Sequence, residues 1–84
     1  MATQGQRRRE AVNAVRQTRQ YYRKADTAGE KIERELDRLI KRKTLITVDD
    51  VAKVLQLVSD FIKLVEQLQR ATAILVEILQ SVGV

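Results

Sequence analysis

The chain has 84 residues, with 16 Lys and Arg against 11 Asp and Glu for a formal charge of +5, and it contains no Cys, His, Pro or Trp. A chain of this length forms one domain at most and buries too little surface to be comfortably stable alone. Disulfides, thiolate chemistry and the usual metal ligands are all excluded, which leaves partner chains as the source of further stability.

Charge is divided unevenly. Residues 1–45 carry 13 Lys and Arg and six acids, whereas residues 46–84 carry three and five. Such asymmetry marks one half that meets nucleic acid and another with a different task. Asn13 is the only asparagine, and Arg outnumbers Lys ten to six; scarcity of thermolabile residues leans toward a thermophile.

Residues 1–6, Met1 to Gln6, are small and polar and are predicted to form a flexible arm. No apolar run follows Arg7-Arg8-Arg9, so this start is not read as a signal peptide, and the protein is expected to be intracellular when made. A long helix is predicted over about 7–43. Set at roughly 100° per residue, one strip of this helix collects Arg9, Asn13, Arg16, Gln20, Arg23, Lys24, Thr27, Lys31, Arg34, Arg38, Lys41 and Arg42. Nine of these twelve are cations and none is acidic. An ordinary solvated face mixes its signs, because acid–base pairs four residues apart stabilise it by a few tenths of a kcal/mol each, about 0.2–0.5. A strip that excludes acids over about 50 Å of helix points to a long polyanion lying against it. Asn13, Gln20 and Thr27 add hydrogen-bonding groups for phosphate oxygens that read no bases.

The opposite stripe of the same helix is Ala11, Ala14, Val15, Tyr22, Ala25, Ala28, Gly29, Ile32, Leu36, Leu39 and Ile40. It is rich in small residues, so it lets another helix approach closely while burying little area. Tyr21 and Tyr22 are read as packing residues at its edge rather than as a platform for stacked bases. Gly29 costs a helix interior about 0.5–1 kcal/mol relative to alanine and marks a close contact or a bend. Thr27 to Glu30 also has the form of a capping box, so a break at this point stays open.

A turn is predicted over 44–47. Thr47 is placed to cap a second helix, with Asp50 at its third helical position and Ile46 and Val51 where a hydrophobic staple would join them. So short a connection between long helices makes an antiparallel hairpin. The second helix is predicted over about 48–82. Its heptad seam runs Val54, Leu57, Phe61, Leu64, Leu68, Ala71, Leu75, Ile78, Val82. Beside it lies a further apolar stripe, Val51, Leu55, Val58, Ile62, Val65, Val76 and Leu79. One partner helix covers one seam, so the second stripe remains as unclaimed burial on the order of 10 kcal/mol, at about 1.5–3 kcal/mol per side chain. Self-assembly through this stripe is the expectation. Charged residues such as Lys53, Asp60, Lys63, Glu66 and Arg70 interrupt the apolar runs too often for a membrane span.

No glycine-rich loop or pocket-forming carboxylate pair offers a catalytic centre; Asp49-Asp50 is better explained as the acidic first turn of a helix, so neither enzyme activity nor a cofactor is expected. No helix-turn-helix, zinc finger or basic zipper is visible either, so binding is expected to follow shape and charge, with the phosphate backbone of duplex DNA as the main target. Duplex DNA carries one charge per about 1.7 Å, far more than one strip neutralises along its own length, and an array of hairpins side by side meets that density.

With two long antiparallel helices, one polar and arginine-rich, one apolar, and no cysteine, the chain resembles the small helical-hairpin major coat proteins of rod-shaped archaeal viruses, most closely the bacilliform (clavavirus) type. The resemblance covers nearly the whole chain and rests on size and pattern. It implies an all-α hairpin that assembles into a larger helical array, a capsid around double-stranded DNA in a virion, with room for minor virion proteins. It also implies Arg9, Arg16, Arg23, Arg34 and Arg38 against phosphates. The alternative is a closed dimeric four-helix bundle that binds RNA or DNA as a regulator. A third class is a coiled-coil scaffold without nucleic acid.

Overall fold

The structure, a computed structural model, describes residues 4–42 and 44–82. Two helices account for nearly all of them: α1 is Gln4–Lys41 and α2 is Val48–Val82. They lie antiparallel along a rod of 63 × 16 × 13 Å. The fold is the predicted all-α hairpin, with α2 as expected and α1 beginning three residues earlier and ending two earlier than its pattern indicated. Gln4, Gly5 and Gln6 belong to the first turn of α1 rather than to an arm; Met1 to Thr3 lie outside the described residues.

The helix start at Thr47 follows its sequence signal. The Asp50 amide donates to Thr47 Oγ1 at 3.2 Å, and the Thr47 amide donates to Asp50 Oδ2 at 2.9 Å. Two otherwise unpaired N–H groups are thereby satisfied reciprocally. The Val51 amide then donates to the Thr47 carbonyl at 3.2 Å, the first bond of the helical ladder. Ile46 and Val51 both remain about half exposed, so the staple closes little surface. No comparable start occurs at Thr27, because α1 runs unbroken through Gly29. A Cβ on Gly29 would meet Phe61 Cε2 at 3.5 Å, an ordinary contact distance, so this glycine sits at the helix contact without being required by it.

The core is the seam between the helices. On α2 it is the predicted heptad line, with Ala71 buried and Val54, Leu57, Phe61, Leu64, Leu68, Leu75 and Ile78 half-buried. On α1 and the residue that follows it the inward positions are seven apart in two series: Ala14, Tyr21, Ala28, Glu35 and then Arg42, and Ala11, Thr18, Ala25, Ile32 and Leu39. Four of the eleven residues of the predicted α1 stripe are therefore not in the core. Val15, Tyr22, Leu36 and Ile40 face solvent, and Thr18, Tyr21, Glu35 and Arg42 take their places. The cause is the difference between 3.6 and 3.5 residues per turn. A straight-helix wheel drifts about 20° per heptad from a line that keeps facing a partner, and α1 is more than five heptads long. Thr18 keeps its inward hydroxyl satisfied by donating to the Ala14 carbonyl at 2.8 Å.

Candidate nucleic-acid interface

The same drift decides where the basic strip goes. Near the start of α1 the strip lies on the edge farthest from α2. By the end of α1 it has turned far enough that Arg38 and Arg42 reach the helix–helix seam, while Arg34 and Lys41 stay on the surface. Its members consequently fall into two groups.

Arg9, Asn13, Arg16, Gln20 and Arg23 are exposed, and among the described residues Arg9, Arg16 and Arg23 make no ion pair. Arg9, Arg16 and Arg23 are seven apart, so they form a row with about 10.5 Å between neighbours. Lys24 lies over the Tyr21 ring, 5.6 Å from its centroid, a cation–π contact that holds the lysine near the half-buried aromatic. Lys31 and Lys41 are exposed without an ion pair among the described residues.

Of the later members, Arg34, Arg38 and Arg42 are paired within the hairpin. Arg34 pairs with Glu30 at 3.7 Å on the α1 surface. Arg38 donates through Nε to Glu35 Oε2 at 3.3 Å and lies 3.9 Å from the Asp50 carboxylate. Lys53 of α2 reaches the same Glu35 at 3.3 Å. Arg42 donates to both oxygens of Asp50, at 3.4 Å to Oδ1 and closely to Oδ2. Its own Nε is buried with no acceptor among the described residues. Glu35 is the buried charge of the seam, and the Arg38 hydrogen bond, with Lys53 behind it, holds its carboxyl below the usual carboxylate range. For Asp50 the Arg42 hydrogen bond and then the Thr47 amide bring the pKa down to about 2. These two acids close the turn end of the rod.

Arg23, Lys24, Thr27 and Lys31 are brought together. They line one side of a groove of about 400 Å³ whose floor is Ala28, Leu57 and Leu64 and whose far wall holds Asp60. Further from the turn, the same side of the hairpin has a second groove lined by Gln17, Tyr21, Gln67, Arg70 and Ala71. Arg70 of α2 therefore stands on the broad face that carries Lys24 and Lys31, and Lys63, seven residues before it, is on the same line of α2. The sequence strip did not include these two, nor the exposed Arg8 and Arg19 beside it. The seven-residue spacings Lys24–Lys31 and Lys63–Arg70 were the signal that would have found the α2 pair. The arrangement offers cations, a few hydroxyl and amide groups and a shallow groove, which suits phosphate oxygens and provides no constellation for reading base edges.

In comparison with known proteins, no family model matches the chain, and neither a curated protein nor a solved structure matches it. Among the described residues no helix is long and apolar enough to cross a membrane.

Proposed function

We propose that the chain is a structural subunit that assembles with many copies of itself and packages double-stranded DNA without sequence preference, as a major coat protein of a rod-shaped virion does. The observation that carries this reading is the separation of two unsatisfied surfaces on one small rod. Among the described residues Arg9, Arg16 and Arg23 toward the open end of the hairpin and Lys24 and Lys31 along its middle stand without acid partners, while Val51, Leu55, Ile62, Val76 and Leu79 of the assembly stripe stay about half exposed. Val58 and Val65 of that stripe are half-buried against the seam.

The hairpin also has little core of its own. Among the described residues the buried apolar ones are Ala14, Ala25, Leu39 and Ala71, three of them alanines, and at about 25 cal/mol per Å² such side chains contribute little. A subunit that gains most of its burial from neighbours is stable in an array and marginal outside it. DNA held along rows of subunits would meet the charge density that one hairpin lacks.

Sedimentation of the purified chain with and without linear duplex DNA, followed by electron microscopy, tests the reading. The expected result is large rod-like particles that protect the DNA from nuclease and release it at high salt. A single small species at all concentrations, binding nucleic acid one dimer at a time, would instead support a closed four-helix bundle.

A further inference from the structure

Two broad faces flank the seam of the hairpin, and they differ in kind. One is the basic, grooved face that carries Lys24, Lys31 and Arg70. The other is marked by a groove where Tyr22 and Gly29 of α1 stand beside Phe61 and Val65 of α2. On α1 this second face continues through positions seven apart: Val15, Tyr22 and Leu36 in one line, Val12 and Ile40 in the next. All five are exposed, Tyr22 at 63% and Ile40 at 79%. On α2 it is the assembly stripe itself, since Val51, Val65 and Leu79 lie on one line, Leu55, Ile62 and Val76 on the next. Because residue numbers fall along α2 as they rise along α1, Leu36 and Ile40 come beside Val51 and Leu55, and Val12 and Val15 beside Val76 and Leu79.

Resting on the self-assembly reading above, we propose that copies of this chain join through this whole face, with α1 supplying Val12, Val15, Tyr22, Leu36 and Ile40, rather than through α2 alone. The ten exposed apolar side chains of the two helices present together on the order of 800 Å², which is what one partner gives to a standard-size interface and more than soluble monomers leave open. Half of that area is lost if α2 acts by itself. The occupant is a second copy rather than a lipid surface because of the margin of the face. Amphipathic faces that lie on membranes are edged by Lys and Arg. Here cations (Arg8, Arg16, Arg19 and Arg23) border only the open-end half of the α1 side, where Asp26 and Glu33 then follow between the apolar positions, and the α2 margin is Ala52, Ser59, Glu66, Ala73 and Gln80. Gly29 lies in the middle of the face. Its missing Cβ is not demanded by Phe61, and it leaves a flat spot where a neighbouring helix approaches closely.

The test compares two quadruple variants of the full chain: Val12→Gln, Val15→Gln, Leu36→Gln, Ile40→Gln on α1, and Leu55→Gln, Ile62→Gln, Val76→Gln, Leu79→Gln on α2. Ile74→Gln, on the basic face, is the control. Sedimentation is expected to place the assembly midpoint of both quadruple variants at least tenfold higher in concentration, with the control unchanged. If the α1 variant assembles like the parent while the α2 variant does not, the composite face is wrong and self-assembly through α2 stands. If the parent chain never assembles, both readings fall. A parent that stays monomeric in solution yet co-sediments with phosphatidylcholine vesicles makes the face lipid-binding and also overturns the proposal. Because the chain has no cysteine, Ile40→Cys and Lys31→Cys each give one labelling site, which keeps the test independent of how well the quadruple variants fold. An environment-sensitive fluorophore is expected to shift to the blue on assembly at position 40 and to stay unshifted at 31. An unshifted label at 40 in assembled material would refute the inference.

Discussion

Arg42 and Asp50 join the end of α1 to the first turn of α2, the guanidinium donating to both carboxylate oxygens while that carboxylate also accepts the Thr47 amide. One acidic side chain thus caps a helix and fastens the turn, and both roles require it to be ionised.

Acid should loosen the hairpin at this point. The folded pKa of Asp50 lies below its ordinary value, at about 2, so its contribution is fully present above the unfolded pKa near 4 and is lost as pH falls through about 2. Glu35, shifted in the same direction by Arg38 and Lys53, adds to the loss. Thermal melts followed by circular dichroism are expected to be nearly constant from pH 7 to pH 5 and to move to lower temperature between pH 4 and pH 2. Asp50→Asn should melt lower than the parent at pH 7 and change less across the acid range.

Thr47→Ala removes the hydroxyl that accepts the Asp50 amide. Loss of such a cap costs about 1 kcal/mol, to be read from denaturant unfolding, and Thr47→Ser should recover most of it.

Gly29→Ala is expected to stabilise the unassembled hairpin by about 0.5–1 kcal/mol, since alanine is the better helix residue and its Cβ finds ordinary contact distance at Phe61. Denaturant unfolding below the assembly concentration measures it. A destabilised variant would mean that α1 and α2 approach more closely than 3.5 Å allows.

Leu39→Ala empties the largest of the buried apolar positions. A cost of about 2–3 kcal/mol follows from ordinary core truncations, whereas Leu36→Ala, three residues earlier and exposed, should cost well under half of that in the unassembled chain.

The two ends of the basic strip should behave differently. Arg16→Gln with Arg23→Gln removes two cations that have no partner in the hairpin, and the slope of log K against log salt for duplex DNA should become shallower by about 0.9 for each, with the melting temperature almost unchanged. Arg38→Gln with Arg42→Gln should do the reverse, lowering the melting temperature and leaving the salt slope nearer that of the parent. Equal slopes in both variants would mean that the strip binds as one unit along its whole length.

Much of the architecture was legible in the residues. Thr47 and Asp50 are spaced as a capping box and form one, and the heptad line from Val54 to Ile78 is the line that meets α1. What a straight-helix projection could not give was the rotation of α1 relative to its partner. Leu36 and Ile40 fell on the inward stripe and proved exposed; Glu35 and Arg42 fell outside it and lie in the seam. The error accumulates with length, which is why the approach of the strip's later cations, Arg38 and Arg42, to Asp50 is not legible in the projection. Glu35 was also hidden because a carboxylate is rarely buried; its neutralising partners, Arg38 and Lys53, come from two different helices. The exposed apolar residues of α1 were hidden for the same geometric reason, since the wheel that misplaced the seam assigned them to it.

The strict repeat of inward positions along both helices has a consequence for the length of the rod. Inserting one alanine within α1 would turn every later side chain by about 100° and part Glu35 from Lys53. Removing seven residues from the middle of α1 together with the seven that face them on α2 would instead bring every inward line back into phase. Hairpins of this kind can thus lengthen or shorten only in quanta of about 10 Å, like a ruler cut at its own graduations.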